Sequence, residues 1–300
     1  DFWPLPTLRT RLIQLSETAF FSYQSYFFET LKLSNKYNKS TLYNPAAKPT
    51  FTANLLPLFY SLSSKSGYRR THMASLSTPY IDIHTHNRLG VPGALNSYRI
   101  PGTTPSANQV YAIGIHPWDT EKIPPAEDSH YQNALCRAMT SSCIAIGEIG
   151  LDYATAKSPE QKQRQLFWFE WQLQTALEHA LPIIIHCAKA YNELISILKR
   201  VPHTISIVHG FIGSPELASR LLQSGCYLSF GPRTWDSPKT RQTLQTVPLD
   251  RLFFETDDSQ QTIKDMYIGA SEITGHSIPL LQQATSTNFQ HIFGSDLITI

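Results

Sequence analysis

Six side chains of the types that bind divalent metals stand out by their positions in this chain: His84, His86, Glu148, His186, His209 and Asp257. Imidazole nitrogens and carboxylate oxygens are common protein donors for ions such as zinc, and together the six make a complete ligand set for two ions. Each stands at or just past the end of a short apolar run: YIDIHTH at 80–86, CIAIGEIGLDY at 143–153, PIIIHC at 182–187, SIVHGF at 206–211 and LFFETDDS at 252–259. Two ions held this way bring the pKa of a water near neutrality and stabilise charge on attacking and leaving oxygens, so hydrolysis is the expected chemistry. His84 and His86 are an i, i+2 pair, which on a strand projects both rings to one side, within reach of one ion. Taken singly, each histidine reads better as a hydrogen-bonded core or surface residue, and each carboxylate has a helix N-cap as its alternative. It is their recurrence at the ends of apolar runs that favours ligation.

Residues so far apart in sequence meet only if their elements share one open face. The runs are rich in β-branched and aromatic residues and read as buried parallel strands. Candidate strands fall at 80–84, 97–100, 110–115, 143–146, 182–185, 204–208, 226–230 and 252–255, with 97–100 the least patterned. Eight is the number required by a closed (β/α)8 TIM barrel, an α/β fold whose C-terminal strand ends all open on one face. Helices are announced between strands. Ser158-Pro159-Glu160-Gln161 has the form of a capping box with proline at the first helical position, followed at helical spacing by Leu166, Phe169, Leu173, Ala176, Leu177 and Ala180. Ser214-Pro215 and Ser237-Pro238 predict two more helix starts, and Gly225 a stop.

Charge is unevenly distributed. Residues 1–72 carry 9 Lys+Arg against 3 Asp+Glu, leaving 16 against 20 for residues 73–300, so the net +2 conceals a mildly acidic body. A uniformly basic groove for long nucleic acid is therefore not expected. Residues 1–72 also hold 13 Phe and Tyr but one Gly, with no sustained periodicity. They are expected to be upstream translated sequence or an unrelated extension, with organelle targeting and a docking or lid segment as alternatives. The catalytic body is expected to span 73–300, beginning at Met73. Cys136, Cys143, Cys187 and Cys226 show no C-x-x-C spacing and lie mostly among apolar residues, as free thiols of a reducing, cytoplasmic setting do. No apolar stretch approaches the roughly 20 residues of a membrane-spanning helix.

Read together, Asp82-Ile83-His84-Thr85-His86, Gly114-Ile115-His116-Pro117, Gly147-Glu148-Ile149-Gly150-Leu151-Asp152-Tyr153, Ile185-His186, Val208-His209-Gly210-Phe211 and Glu255-Thr256-Asp257 resemble the motifs of the TatD family of metal-dependent hydrolases, in family order. The resemblance extends over nearly all of residues 79–293 and implies a barrel of the amidohydrolase-like type. It further implies that His84, His86 and Asp257 hold one metal, that His186 holds another, that Glu148 bridges the two, and that His209 completes the second site or contacts substrate phosphate. Zinc, manganese and magnesium all suit such a pair. Asp257 is the candidate to orient the water and take its proton. His116, Trp118 and Lys189 are candidate substrate contacts, Lys189 as a point charge for phosphate and Trp118 as a stacking surface for a base or as core. Arg233 reads as a solvated loop residue.

Two departures affect substrate choice. Only 30 residues separate His86 from His116, and the arginine usual two residues after the strand-five histidine is Ala188 here, followed by Lys189. No arginine is therefore expected among the metals. The leading expectation is a phosphodiester-cleaving deoxyribonuclease, monomeric or weakly oligomeric, with a phosphoester substrate such as DNA and no membrane partner. A hydrolase of a small amide, lactone or phosphorylated metabolite stays open, as does a metal-binding scaffold without turnover.

Overall fold

The computed structural model describes residues 78–87, 93–102, 105, 109–201, 205–294 and 297. The segment 1–72 and the expectations attached to it lie outside the described residues. Eight parallel strands form one sheet in sequential order: β1 (Asp82–Thr85), β2 (Ala94–Arg99), β3 (Tyr111–Gly114), β4 (Cys143–Asp152), β5 (Ile183–Ala188), β6 (Ser206–Val208), β7 (Tyr227–Phe230) and β8 (Leu252–Phe254). An isolated parallel bridge between Thr85 and Asp257 brings the last strand back to the first, so the sheet curls into a nearly closed barrel. Helices α1 (Asp128–Ala138), α2 (Pro159–Glu178), α3 (Tyr191–Arg200), α4 (Pro215–Gln223), α5 (Pro238–Leu244), α6 (Ile263–Thr274) and α7 (Ile278–Phe293) follow the strands from β3 onward.

Two apolar clusters divide the strand residues by alternation. One takes Ile83, Leu95, Ala112, Ala145, Ile184, Ile207, Tyr227 and Phe253, a residue from each of the eight strands, and is the interior that the sheet encloses. The other joins strand residues of opposite parity, such as Ile113, Ile146, Ile185, Leu228 and Phe254, to Phe169, Leu194, Leu221 and Met266 of the helices. Each such side chain removed from water contributes roughly 1.5–3 kcal/mol. Because a strand has period two, counting in twos from the interior residue gives the side chain that emerges at the open end. Ile184 leads to His186, Ile207 to His209, Ala112 through Gly114 to His116, and Phe253 through Glu255 to Asp257.

In β1 and β4 the count slips. Asp82 pairs with Ala94 but Thr85 with Asn96, three residues against two; Gly147 pairs with Ile184 but Ile149 with Ile185, two against one. Each slip is a bulge that adds a residue and exchanges the faces beyond it. Ile83 therefore hands the interior to His84 and His86, and Gly147 hands it to Glu148, Gly150 and Asp152. β4 also runs past the end expected at Ile146, because its pairing with β5 continues to Asp152 opposite Ala188. At Gly150 the close approach is backbone to backbone: φ is +141°, and a Cβ there would fall on the His186 carbonyl oxygen.

α2 begins with the expected capping box, Ser158 accepting from the Gln161 amide and Gln161 from that of Ser158. Its buried face differs from the expected apolar stripe. Phe169, Leu173 and Ala176 are buried, Ala180 lies beyond the helix at φ +52°, and two glutamines, Gln165 and Gln172, are fully enclosed. Gln172 accepts from the Ile115 amide (2.6 Å) and donates to its carbonyl (3.0 Å), while Gln165 accepts from the Asp152 amide (2.8 Å). Apolar side chains could not serve the backbone where β3 and β4 end. Ser214 and Ser237 cap α4 and α5 as expected, and Gly225 follows α4 at φ +84°.

Barrel closure rests on a polar staple. Asp82 accepts from the Thr256 amide (3.0 Å) and hydroxyl (2.7 Å), and the Asp257 backbone bonds across the same seam, its carbonyl accepting from His86 N–H and its own N–H donating to the His84 carbonyl (both 3.0 Å). Burial pushes the Asp82 carboxyl up to about 7 against the pull of those donors. With the folded pKa above the unfolded one, this group's contribution to stability declines as pH rises from about 4 to about 7. Thr256→Val should cost about 1–3 kcal/mol by stripping a donor from a buried acceptor. Urea midpoints at pH 6 and pH 8 check this, with the larger loss expected at pH 8, where Asp82 is ionised.

Candidate metal centre

Glu148 is the hub of the open end. Its Oε1 lies 2.8 Å from His209 Nε2, 2.9 Å from His116 Nε2 and 2.9 Å from His186 Nδ1. On the other side, Oε2 accepts from Arg99 Nη2 at 3.0 Å and lies 3.6 Å from His86 Nε2 and 3.7 Å from His84 Nε2. Asp257 Oδ1 is 3.6 Å from both His84 Nε2 and His86 Nε2. The structure thus brings His84, His86, Glu148, His186, His209 and Asp257 to one place, with His116 beside them. Candidate ligand atoms within 4.8 Å of one another include the sets His84, His86, Asp257 and His84, Glu148, His209.

The donor set fits cations. Both nitrogens of His84 and Nε2 of His86 are buried and have no hydrogen-bond partner. Buried polar atoms are rarely left so, and here the two Nε2 atoms face carboxylate oxygens at distances too long for hydrogen bonds. His209 has the arrangement of a ligand held from behind: Nδ1 lies 3.2 Å from Glu255 Oε1, which leaves Nε2 directed at the cluster. His186 is braced similarly, Nε2 lying 3.2 Å from Asp152 Oδ2. His116 differs from these. Its Nδ1 accepts from the Trp118 amide (3.1 Å), and burial pushes its pKa down to about 4. A neutral ring accepting at Nδ1 carries its proton on Nε2, so His116 donates to Glu148 instead of offering a lone pair to a metal.

Electrostatics follow the geometry. Burial alone would raise Glu148, but the imidazoles of His209 and His116 outweigh it and hold the carboxyl well below the usual range. Burial would likewise lower His209, yet Glu148 and Glu255 raise it well above its ordinary value. His186 is raised by Asp152 and Glu148 against the same burial penalty, whereas His84, buried next to His209, is lowered. Asp257 is lowered, burial being outweighed by His84. The cluster thus holds negative carboxylates, and without metal it holds protons beside them.

Trp118 stands on the 3-10 turn Pro117–Lys122, 49% exposed, its Nε1–H donated to Asp152 Oδ2 at 2.7 Å. Lys189 follows β5 at φ +54° and lines a cleft of about 460 Å3 with Tyr153, Tyr191, Asn192 and Glu193, outside the imidazole and carboxylate cluster. Sequence reasoning missed three residues of the site: Arg99, Asp152 and Glu255. Arg99 and Glu255 lie on the inward face by alternation, through Leu95, Ser97, Arg99 and Phe253, Glu255, whereas Asp152 reaches it only past the bulge in β4. The expectation that no arginine stands among the candidate ligands is corrected, because β2 delivers one to Glu148 from a strand with no histidine or carboxylate to mark it.

Comparison with known proteins shows which sequences and folds this chain resembles. The chain is 38% identical over 150 residues to a Bacillus subtilis protein named uncharacterized metal-dependent hydrolase YabD, covering 49% of this chain and 57% of the relative. It is 27% identical over 241 residues to the Klebsiella pneumoniae protein named 3'-5' ssDNA/RNA exonuclease TatD, covering 69% and 89%. The match thus spans under two-thirds of the Bacillus relative and most of the Klebsiella one. The crystal structure of YjjV, a TatD homolog from Escherichia coli K12, has the same fold, with TM-score 0.58, 24% identity and coverage of 72% of this chain and 98% of that one. The sequence profile described as TatD related DNase matches residues 99–294, a span that takes in β3 to β8 and all the candidate site residues except His84 and His86. By that match the chain belongs to the TatD family.

Proposed function

We propose that this protein is a metal-dependent hydrolase that cleaves phosphodiester bonds, with short or single-stranded nucleic acid as substrate. The observation that carries the reading is Glu148, a single carboxylate whose two oxygens face two different sets of imidazoles. One oxygen directed to each set suits two divalent ions, with His84, His86 and Asp257 holding one and His186 and His209 the other. Zinc, manganese and magnesium are the candidate ions. Such a pair supplies Lewis acidity, making a water reactive near neutral pH and balancing charge on the oxygens of the reacting phosphate.

The chain's own residues do the rest. Asp257, low in pKa and partly exposed, is ionised at neutral pH and placed to accept the proton that the attacking water gives up. His116 donates to Glu148 Oε1 and helps fix the orientation of its carboxylate. The indole of Trp118, fixed through its N–H and open on one side, offers a base a surface to stack on, and Lys189 offers phosphate a charge along the neighbouring cleft. The Klebsiella relative's name, and the absence of a basic excess in residues 73–300, both favour single strands over long duplexes. We place this function in residues 73–300.

Three outcomes test the reading. Manganese- or zinc-loaded protein should cleave oligonucleotides and model phosphodiesters in preference to small amides and lactones. In that assay Asp257→Asn should keep its metal and lose about 10²–10⁴ in kcat, whereas Lys189→Ala should mainly raise KM. Activity confined to an amide or lactone would refute phosphodiester cleavage. Elemental analysis should find two ions per wild-type chain and at most one, weakly held, in Glu148→Ala. The third outcome concerns pH. His186 and His209 have raised folded pKa values, so the stability they give metal-free protein is complete below the unfolded value near 6.5 and is lost as pH rises through the folded values. Metal takes the place of those protons, so the rise in Tm on adding manganese should be larger at pH 8.5 than at pH 6.

A further inference from the structure

Among the described residues, Arg99 is the one cation at Glu148 that cannot give up its charge. The imidazoles around the carboxylate can lose protons when metal enters; a guanidinium stays charged throughout. Arg99 reaches Glu148 Oε2 at 3.0 Å from the end of β2, and its side chain is 30% exposed while that of Glu148 is 2% exposed. With His86 and Asp257 it is one of the side chains of the cluster that reach solvent. Its guanidinium carbon lies 5.5 Å from the ring centroid of Trp118, whose indole is in turn anchored to Asp152. Its Nε is buried without a partner, so the present contact leaves part of the guanidinium fork unused.

Two divalent ions at Glu148 would bring four positive charges beside this guanidinium, against the carboxylates of Glu148, Asp152, Glu255 and Asp257. With Arg99 counted, positive charge is in excess by one. The oxygen that Arg99 now occupies also becomes a candidate metal ligand. Both effects loosen Arg99 from Glu148, and both are relieved by an anion at the mouth of the site.

We propose that Arg99 is the substrate-binding residue for a phosphate-type oxyanion: from its place between Glu148 and Trp118 it turns to the substrate's anionic oxygens when two cations are held at Glu148. The planar fork of a guanidinium matches two oxygens of such a group, which a lysine ammonium does not. This inference rests on the phosphoester reading and adds to it the residue that grips the scissile group.

The test uses the full chain and inorganic phosphate as probe. Wild type, Arg99→Met and Arg99→Lys are loaded with manganese, and orthophosphate binding is followed by calorimetry and by tryptophan fluorescence. Arg99→Met should weaken orthophosphate binding about tenfold or more, as loss of a bidentate charged contact does. Arg99→Lys should recover only part of that. In a separate manganese titration without phosphate, Arg99→Met should bind manganese at least as tightly as wild type, since a fixed positive charge has been removed. Loss of manganese in both variants would overturn the proposal and make Arg99 a positioning residue for Glu148. Unchanged orthophosphate affinity in Arg99→Met, or none in loaded wild type, would also overturn it. If orthophosphate binds through Arg99 but no phosphoester is cleaved, the proposed function fails while this assignment stands. If phosphoesters are cleaved and Arg99→Met keeps both its KM and its orthophosphate affinity, the assignment fails while the function stands.

Discussion

An ionised carboxylate enclosed at the end of a barrel is costly unless its surroundings return what water would have supplied. Glu148 meets that condition with six nitrogen-bearing side chains from five strands or strand ends: His84 from β1 and His86 just beyond it, Arg99 from β2, His116 beyond β3, His186 from β5 and His209 beyond β6. No smaller part of the fold could assemble that shell. The nitrogens that steady the carboxylate against burial are also the ones that suit divalent cations, so a single group sets both the electrostatics of the open end and its affinity for metal.

The backbone makes this possible by breaking its own alternation. In a regular β4, Ile146 and Glu148 would share a face, and Glu148 would point into the helix layer with Ile146. The bulge between Gly147 and Ile149 turns Glu148 inward while leaving Ile149 and Leu151 in the outer apolar cluster. The bulge in β1 does the same for His84 and His86 after Ile83. Bulges of this kind re-aim side chains next to functional sites. The space they need is provided by glycine, as at Gly150, where only a hydrogen fits against the His186 carbonyl.

Stability and site share one seam. Asp82 and Thr256 tie β1 to β8 directly beneath His84 and Asp257, and Gln165 and Gln172 of α2 complete the backbone hydrogen bonding at Asp152 and Ile115. Buried polar side chains in these positions are part of how the strand ends are held, because a strand that stops at a binding face leaves amides with no neighbour to pair with. The rest of the core can rely on shape and apolar area.

Much of this was legible from residue order. Apolar runs ending in His84, His186 and His209 marked strands, and strand number implied a barrel; the capping box at Ser158 and the serine-proline pairs placed helix starts within a residue, since those signals act over four residues of chain. The site residues that could be named were those with distinctive chemistry at the end of such a run. Arg99, Asp152 and Glu255 have equally specific places but no local signal that separates them from surface charges. The tautomer that makes His116 a donor depends on the Trp118 amide, and the inward turn of Glu148 depends on how β4 pairs with β5. Local signals are carried by neighbours in the chain and survive in the sequence. Bulge positions, proton positions and ion pairs across strands are set by register and burial between segments dozens of residues apart, and those exist only once the barrel has closed.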